Sequence, residues 1–129
     1  MKTPKLETLS NEQLAERFKQ LSFQQAEDES SAKFYQRAYD QLNKVAAELR
    51  RRGPEARRAL IPLLDCRDNT RMMSAVAQCQ YNGARELLAV EPVRARATLE
   101  ALANSVTRSQ MALARGTLEA LDNGSLKPT

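Results

Sequence analysis

Carboxylates, thiols and a dense run of arginines are the side chains of this sequence that could carry chemistry. Glu27, Asp28 and Glu29 are consecutive, and neighbouring carboxylates can bind Mg²⁺ or share a proton. Asp65 and Asp68 form a second acidic pair. Acidic residues are also common in turns between helices, because they accept hydrogen bonds from the unpaired N–H groups that begin the next helix. We prefer this structural interpretation for both acidic groups.

The two cysteines allow one further catalytic hypothesis. Cys66 is close in sequence to Arg67 and Arg71, and neighbouring cations favour the reactive thiolate form. A small residue in a turn is the simpler interpretation of Cys66, while Cys79 falls on an apolar stripe that predicts a core position. The pair has neither the close spacing of a zinc site nor the number needed for a disulfide framework. We therefore expect reduced thiols, as in a reducing compartment.

Histidine is absent from all 129 residues. Its absence removes the commonest general base and the commonest metal ligand, and it excludes the Ser-His-Asp and Cys-His arrangements. The four glycines are scattered and form no phosphate-binding loop. The sequence therefore predicts a protein that is not an enzyme and that binds no metal or cofactor.

The arginines are the most unusual feature of the sequence. Arg50–Arg52 end a predicted helix, whose dipole stabilises each cation there by about 0.3–1 kcal/mol. Arg57 and Arg58 are expected on the solvated face of the next helix. If the intervening Gly-Pro turn folds the two helices together, Arg51, Arg57, Arg58 and Arg67 could form one basic edge. With a net charge of +4, such an edge could contact phosphates or an acidic protein, but the charge demands neither.

Apolar residues recur at helical spacing in six segments separated by breaks rich in polar residues, Gly and Pro. Aromatic residues are only 5% of the chain, and abundant Ala and Leu favour helices over strands. Ser10 and Gln13 have the spacing of a capping box. Pro62 is expected to bend the third helix, and Gly83 indicates a close helix contact inside a single long fourth helix. The predicted helices cover about 11–25, 32–52, 54–64, 70–90, 92–103 and 110–122, the second capped by Ser31 and the fourth by Asp68 or Asn69.

The predicted helices alternate short and long three times, and Pro54 and Pro92 are 38 residues apart. A repeat of this length is typical of a solenoid of helical hairpins. The segment ALIPLLDCRDNTRMMSAVA, residues 59–77, resembles a HEAT repeat through Pro62, a Leu pair, Asp65 and Arg71. In that pattern Asp65 accepts hydrogen bonds from the next helix start and pairs with Arg71 or its counterpart in a neighbouring repeat.

A longer stretch, LLAVEPVRARATLEALANSVTRSQMALARGTLEAL at residues 87–121, is similar to a small uncharacterised bacterial family of HEAT-like proteins, a domain of unknown function. The resemblance implies an alpha-alpha superhelix. It implies no activity, because HEAT-like proteins are mostly binding scaffolds, and fold does not determine function.

These observations predict an all-α fold of three antiparallel helical hairpins, stacked as a short HEAT-like right-handed superhelix (an alpha solenoid). Residues 1–129 are expected to form one domain, with an ordered core over about 10–124 and frayed termini. The absence of a signal peptide and of an apolar run of about 20 residues favours a cytoplasmic protein with no membrane contact.

The function expected from the sequence is a non-catalytic protein–protein interaction module of adaptor, regulatory or immunity type. An unknown protein partner would bind the concave face formed by the long helices. The alternative is a nucleic-acid-binding HEAT-like module that uses the Arg50–Arg71 basic edge. Proteins that read single strands or RNA stack exposed bases on aromatic side chains. The tyrosines of this chain are Tyr35, Tyr39 and Tyr81, and two of them lie on or near predicted core stripes. Too few are left for stacking, which argues against single-strand or RNA readout. A homodimer through an uncapped solenoid end is also possible.

Overall fold

The structure is a computed structural model that describes residues 5–27 and 32–129, and every regular element in those ranges is helical. The all-α prediction is therefore confirmed for this part of the chain. The predicted cap Ser31 and the acidic residues Asp28 and Glu29 lie outside the described residues. The elements are a 3₁₀ turn Leu6–Thr8, α1 Asn11–Glu27, α2 Ala32–Arg52, α3 Pro54–Arg57, a 3₁₀ helix Arg58–Asp65, α4 Met73–Leu87, α5 Pro92–Ala103 and α6 Arg108–Asp122.

The capping box at the start of α1 is confirmed. The backbone N–H of Gln13 donates to Ser10 Oγ at 3.0 Å, and the backbone N–H of Ser10 donates to Gln13 Oε1 at 2.8 Å. Two unpaired donors at the helix start are thereby satisfied. At its other end α1 continues to Glu27, two residues beyond the predicted end at Gln25.

The third predicted helix is mostly not an α-helix. Gly53 has a φ of 109°, a conformation that side chains disfavour, and Pro54 occupies the first helical position. The α-helical part ends at Arg57, and the chain then winds as a 3₁₀ helix to Asp65. Pro62 lies inside that segment, cannot donate to the carbonyl of Arg58 and crowds it, which accounts for the tighter winding where a bend in an α-helix was expected.

The fourth predicted helix is one continuous helix through Gly83, as expected, but it is shorter than predicted at both ends. It begins at Met73 and not after Asn69, and the cap residue Met72 has no side-chain hydrogen bond to the helix. It ends at Leu87 because Pro92 opens the next helix, and Glu91 before it adopts φ −139° and ψ 63°. The residue before a proline is disfavoured in the α conformation, so the chain must leave the helix earlier.

Helix α4 is the centre of the core. It contacts α1, the 3₁₀ helix, α5 and α6, while α1 also contacts α2 and α5 contacts α6. The glycine in α4 allows one of these approaches, because a Cβ on Gly83 would lie 3.2 Å from the Cβ of Leu63 in the 3₁₀ helix. The largest apolar side chains buried around α4 are Leu14, Phe18, Phe23, Leu49, Leu60, Leu87 and Leu99. No helix in the described ranges is both long and apolar enough to cross a membrane.

Replacing Gly83 by Leu should destabilise the protein. The new side chain would press against Leu63, and overpacking of a core contact costs about 1–3 kcal/mol of unfolding free energy. Gly116 in α6 is the matched control, since a Cβ there meets nothing within 4 Å. Gly116→Leu should stabilise the protein by about 0.5–1 kcal/mol through helix propensity alone. Urea unfolding of both variants measures the difference, and equal stabilisation would show that the 3₁₀ helix does not pack closely on Gly83.

Candidate functional site

The arginines of the predicted basic edge differ sharply in exposure. Arg57 was expected on a solvated face, but it is only 9% exposed. Its Nη1 donates to the carbonyl of Thr129 at 3.0 Å and its Nη2 donates to the carbonyl of Glu86 at 2.6 Å. The prediction was wrong because the C-terminal residues and α4 cover this side of α3, which no periodicity within α3 could indicate.

Two further arginines of the edge are neutralised by nearby carboxylates. Arg51 binds Glu48 through two nitrogens, at 2.9 and 2.6 Å. Arg58 lies 2.5 Å from Glu55 and 3.7 Å from Glu91. These pairs leave little free charge at the junction of α2 and α3.

The fourth arginine of the edge lies elsewhere. Arg67 is exposed beyond the far end of the 3₁₀ helix. It lines two cavities that the other three arginines do not reach. The structure therefore does not assemble Arg51, Arg57, Arg58 and Arg67 into one continuous basic surface.

Glu48 receives two arginines at once. Hydrogen bonds from Arg51, which has the larger effect, and from Arg52 lower the pKa of its carboxyl from 4.5 to about 2. Arg52 also donates to Asn11 Oδ1 at 3.0 Å and to the carbonyl of Leu6 at 3.0 Å. Arg52 thus attaches the end of α2 to the start of α1, a structural role beyond the dipole effect.

The HEAT-like turn residues are arranged differently from the pattern that they resemble. Pro62 and Asp65 are exposed on the 3₁₀ helix. The side chain that accepts hydrogen bonds in the following turn is Asp68, which accepts from Thr70 N at 2.9 Å and Thr70 Oγ1 at 2.5 Å. The expected role of Asp65 was therefore wrong, since the hydrogen-bonded acid of this turn is Asp68, and its partner is Thr70 and not the start of α4.

Arg71 is also engaged elsewhere than expected. Its Nη1 donates to Glu27 Oε1 at 2.7 Å, and its guanidinium lies 4.9 Å from the ring centroid of Phe23. Both partners belong to α1, so Arg71 joins the turn before α4 to the first helix and does not pair with Asp65. A cation over an aromatic ring adds to the attraction of the ion pair.

The two cysteines are buried and free. Burial raises the pKa of the Cys79 thiol well above its usual range, and the neighbouring Cys66 raises it further. A nucleophilic cysteine needs the opposite shift. The predicted core position of Cys79 is confirmed, and Cys66 is more buried than a surface turn residue would be.

One concave feature of the described residues is a groove of about 330 Å³, which we call the tyrosine groove. Its walls come from α1, α2, α4 and α6, and three of these are the long helices of the predicted repeat. The lining residues are Phe18, Gln25, Tyr35, Tyr39, Leu42, Asn43, Ala46, Arg50, Gln78, Tyr81, Asn82, Arg85, Glu86 and Leu113.

The floor of the groove is a chain of buried amides, which we call the amide network. Asn82 Nδ2 donates to Ser22 Oγ and to Gln25 Oε1, both at 3.0 Å. Gln78 Nε2 donates to Asn82 Oδ1 at 3.0 Å, and Gln110 Nε2 donates to Gln78 Oε1 at 3.0 Å. The network therefore links α1, α4 and α6 through polar groups that have little contact with water.

Two tyrosines form one rim of the groove. Tyr35 and Tyr39 are 40% and 43% exposed, and their rings stack with centroids 6.4 Å apart. Gln25 Nε2 donates to the hydroxyl of Tyr35 at 3.2 Å, which connects this rim to the amide network. The sequence had placed Tyr35 on a buried stripe. That prediction was wrong because α2 buries no residue before Ala38.

Sequence reasoning missed the amide network. The signal was present in Gln78 and Asn82, two polar residues four apart on a helix whose neighbours are buried. Side chains at that spacing face the same side of a helix. The arrangement offers hydrogen-bonding and apolar contact surface.

Replacing Asn82 by Ala should remove the centre of the amide network. Ser22, Gln25 and Gln78 would each lose a partner while remaining buried, which should lower the unfolding free energy by about 2–3 kcal/mol. Asn43 lines the same groove but is exposed on α2, so Asn43→Ala should change stability by less than about 0.5 kcal/mol. Urea unfolding tests both, and similar values for the two variants would contradict a stabilising network.

Glu48 should make the stability of the protein depend on pH. Because its pKa is lowered in the folded protein from 4.5 to about 2, its contribution is present above about pH 5 and is lost as the pH falls towards 2. Glu48→Gln should therefore destabilise the protein at pH 7 but much less at pH 3. Glu119→Gln, which changes an exposed carboxylate on α6, is the control. The idea fails if the stability deficit of Glu48→Gln is the same at both pH values.

Comparison with known proteins places the chain in a family and identifies no more specific relative. No curated protein and no solved structure matches the chain. Residues 12–122 match the family described as Domain of unknown function (DUF2019). Because that match covers most of the 129 residues, the chain belongs to this family.

Proposed function

We propose that this protein is a non-catalytic interaction module, of adaptor, regulatory or immunity type, that binds a protein partner in the tyrosine groove. The observation that carries the proposal is the stacked, exposed pair Tyr35 and Tyr39 on the rim of a concave surface. Tyrosine supplies a large and rigid contact area at a small cost in conformational entropy. Aromatic residues are enriched in the parts of interfaces that carry most of the binding energy.

The amide network suits the groove to binding because it stiffens the floor. A groove whose floor is already hydrogen-bonded loses little entropy when a partner binds, so more of the contact energy appears as affinity. Leu113, 42% exposed, adds apolar surface from α6 opposite the tyrosines. Exposed apolar side chains grouped in a groove are typical of interaction sites.

We further propose the finer architecture that the repeat pattern predicts. In this arrangement three antiparallel hairpins stack as a short HEAT-like right-handed superhelix, with α2, α4 and α6 on the concave face. Contributions from these three helices to one groove support the proposal, as do the contacts of α4 with elements on both sides of it. The protein would act in the cytoplasm without a cofactor.

Nucleic-acid binding by the arginine edge is the weaker candidate. Arg51 and Arg58 already bind carboxylates, and Arg57 is buried. A surface that attracts phosphates needs several unneutralised cations in a row. We therefore treat nucleic-acid binding as an alternative outcome of the experiment that tests the tyrosine groove.

The test is affinity capture from a native cell lysate, at low and high salt and with and without nuclease. Tyr39→Ala should reduce capture of the specific protein partner by about tenfold, since loss of an aromatic anchor costs more than about 1 kcal/mol. Met73→Ala is the control, because Met73 is 67% exposed at a different cavity. Both variants should unfold at the same urea concentration as the wild type.

Two results would contradict the proposal. Equal capture by Tyr39→Ala and Met73→Ala would show that the groove is not the interface. Capture of nucleic acid that disappears at high salt would favour the arginine alternative. Size measurement of the purified protein in the same buffers would show whether a homodimer forms.

A further inference from the structure

A second, smaller cavity lies directly beside the tyrosine groove. Its volume is about 180 Å³, and we call it the basic cleft. It shares Arg50, Arg85 and Glu86 with the lining of the groove. The remaining lining residues are Arg57, Leu88, Leu126, Lys127, Pro128 and Thr129. A chain segment that lies in the groove can therefore reach the cleft without leaving the protein surface.

The basic cleft has more positive than negative side chains. Arg50, Arg57, Arg85 and Lys127 face a single carboxylate, Glu86, which leaves an excess of three positive charges among the lining side chains. Glu86 is itself occupied, because Arg50 binds it through two nitrogens at 2.8 and 3.1 Å. No second carboxylate side chain among the described residues lines the cleft to neutralise Arg57, Arg85 and Lys127.

Arg85 is the most available of these cations. Its Nη1 donates to the hydroxyl of Tyr81 at 3.5 Å. In the described ranges no carboxylate lies within ion-pair distance of Arg85 or Lys127, and both side chains are exposed. This separates them from Arg51 and Arg58, whose charges are neutralised by Glu48 and Glu55, each three residues earlier in the chain.

Arg57 adds a positive charge within the wall of the basic cleft. It is buried in the wall of the cleft, and its Nε has no hydrogen-bond partner among the described residues. Its Nη1 and Nη2 donate to backbone oxygens of Thr129 and Glu86, and the Glu86 carboxylate is 3.9 Å away. A buried N–H donor without a hydrogen-bond partner is costly. An anion that accepts a hydrogen bond from Nε would offset that cost.

We infer that the basic cleft binds a carboxylate side chain of the protein partner, next to the partner segment that occupies the tyrosine groove. This inference rests on the proposed function, and it specifies the partner as a segment with an acidic residue beside its apolar contact residues. Arg85 and Lys127 would make charge-assisted hydrogen bonds to the carboxylate, which are stronger than those between neutral groups. The charge of Arg57 would attract it from within the wall.

A carboxylate fits the cleft better than a nucleic-acid backbone. The unneutralised cations are confined to one cavity of about 180 Å³ beside two tyrosines. Binding along a phosphate backbone requires cations spread over several phosphates. The arginines that would extend the surface, Arg51 and Arg58, already bind Glu48 and Glu55.

The experiment uses a capped tetraglutamate peptide as the probe, with the full chain at low salt. Calorimetry should detect saturable binding, and the side-chain N–H signal of Arg57 Nε should shift in NMR spectra. Arg85→Gln should weaken binding by about tenfold, as expected for loss of a hydrogen bond to a charged group. Arg94→Gln is the matched control, since Arg94 is exposed on α5 away from the cleft. It changes the net charge equally and should leave the affinity within twofold.

Three results would overturn the inference. The first is no binding of tetraglutamate at millimolar concentration. The second is equal weakening by Arg85→Gln and Arg94→Gln, which would indicate a general effect of net charge. The third is tighter, Arg85-dependent binding of a ten-nucleotide single-stranded DNA, which would assign the cleft to phosphates.

Lysate capture separates this inference from the proposed function. If Tyr39→Ala reduces capture of the partner and Arg85→Gln does not, the groove is the interface and the acidic contact is wrong. If Arg85→Gln reduces capture of the same partner and added tetraglutamate competes with it, both proposals are supported. If neither variant reduces capture, the groove itself is not the binding site.

Discussion

The amide network is the interaction on which the rest of the structure depends. Asn82 binds α4 to Ser22 and Gln25 of α1, and Gln110 binds α6 to Gln78 of α4. Apolar helix faces tolerate many alternative packings, because hydrophobic contact has no direction. A buried amide without a partner costs about 1–3 kcal/mol, so each of these side chains opposes a shifted or rotated helix. The network thus selects one arrangement of α1, α4 and α6 from the many that the apolar residues allow.

The same network determines what the surface offers. Tyr35 and Tyr39, on the first part of α2, are exposed beside the helices that the network joins. The groove consequently has an aromatic rim and a hydrogen-bonded polar floor, in which Gln110 Oε1 has no hydrogen-bond partner among the described residues. At one end of the groove the arginines of α2 and α3 meet the end of α4. There the described lining of the basic cleft has a single carboxylate side chain, Glu86, among four cationic side chains. Contact surface and unbalanced charge lie side by side, and the interaction that we propose uses both.

Features that depend on a few adjacent residues were predictable from the sequence. The capping box of Ser10 and Gln13 and the glycine–proline junction after α2 follow from local backbone chemistry. The continuity of α4 through Gly83 was also predicted, since one face keeps its apolar spacing on both sides of the glycine. The prediction was wrong for the segment around Pro62 and for the end of α4, because proline and its preceding residue restrict the backbone more strongly than apolar spacing favours an α-helix. It was also wrong for the start of α4, where Asp68 bonds to Thr70 within the turn and does not cap the helix.

By itself, the sequence determined an all-helical chain without histidine chemistry, because helix periodicity and residue type are local properties. Only the tertiary structure decided which polar residues are buried and which aromatic residues are exposed. For this reason Arg57, which was expected to be exposed, is buried, and Tyr35, which was expected to be buried, is exposed. A periodic pattern identifies the faces of a helix, but whether a face is covered depends on elements distant in sequence. Glu86 and Thr129 enclose Arg57 from 29 and 72 residues away, and no segment near Tyr35 in sequence could have shown that its side chain would border a groove.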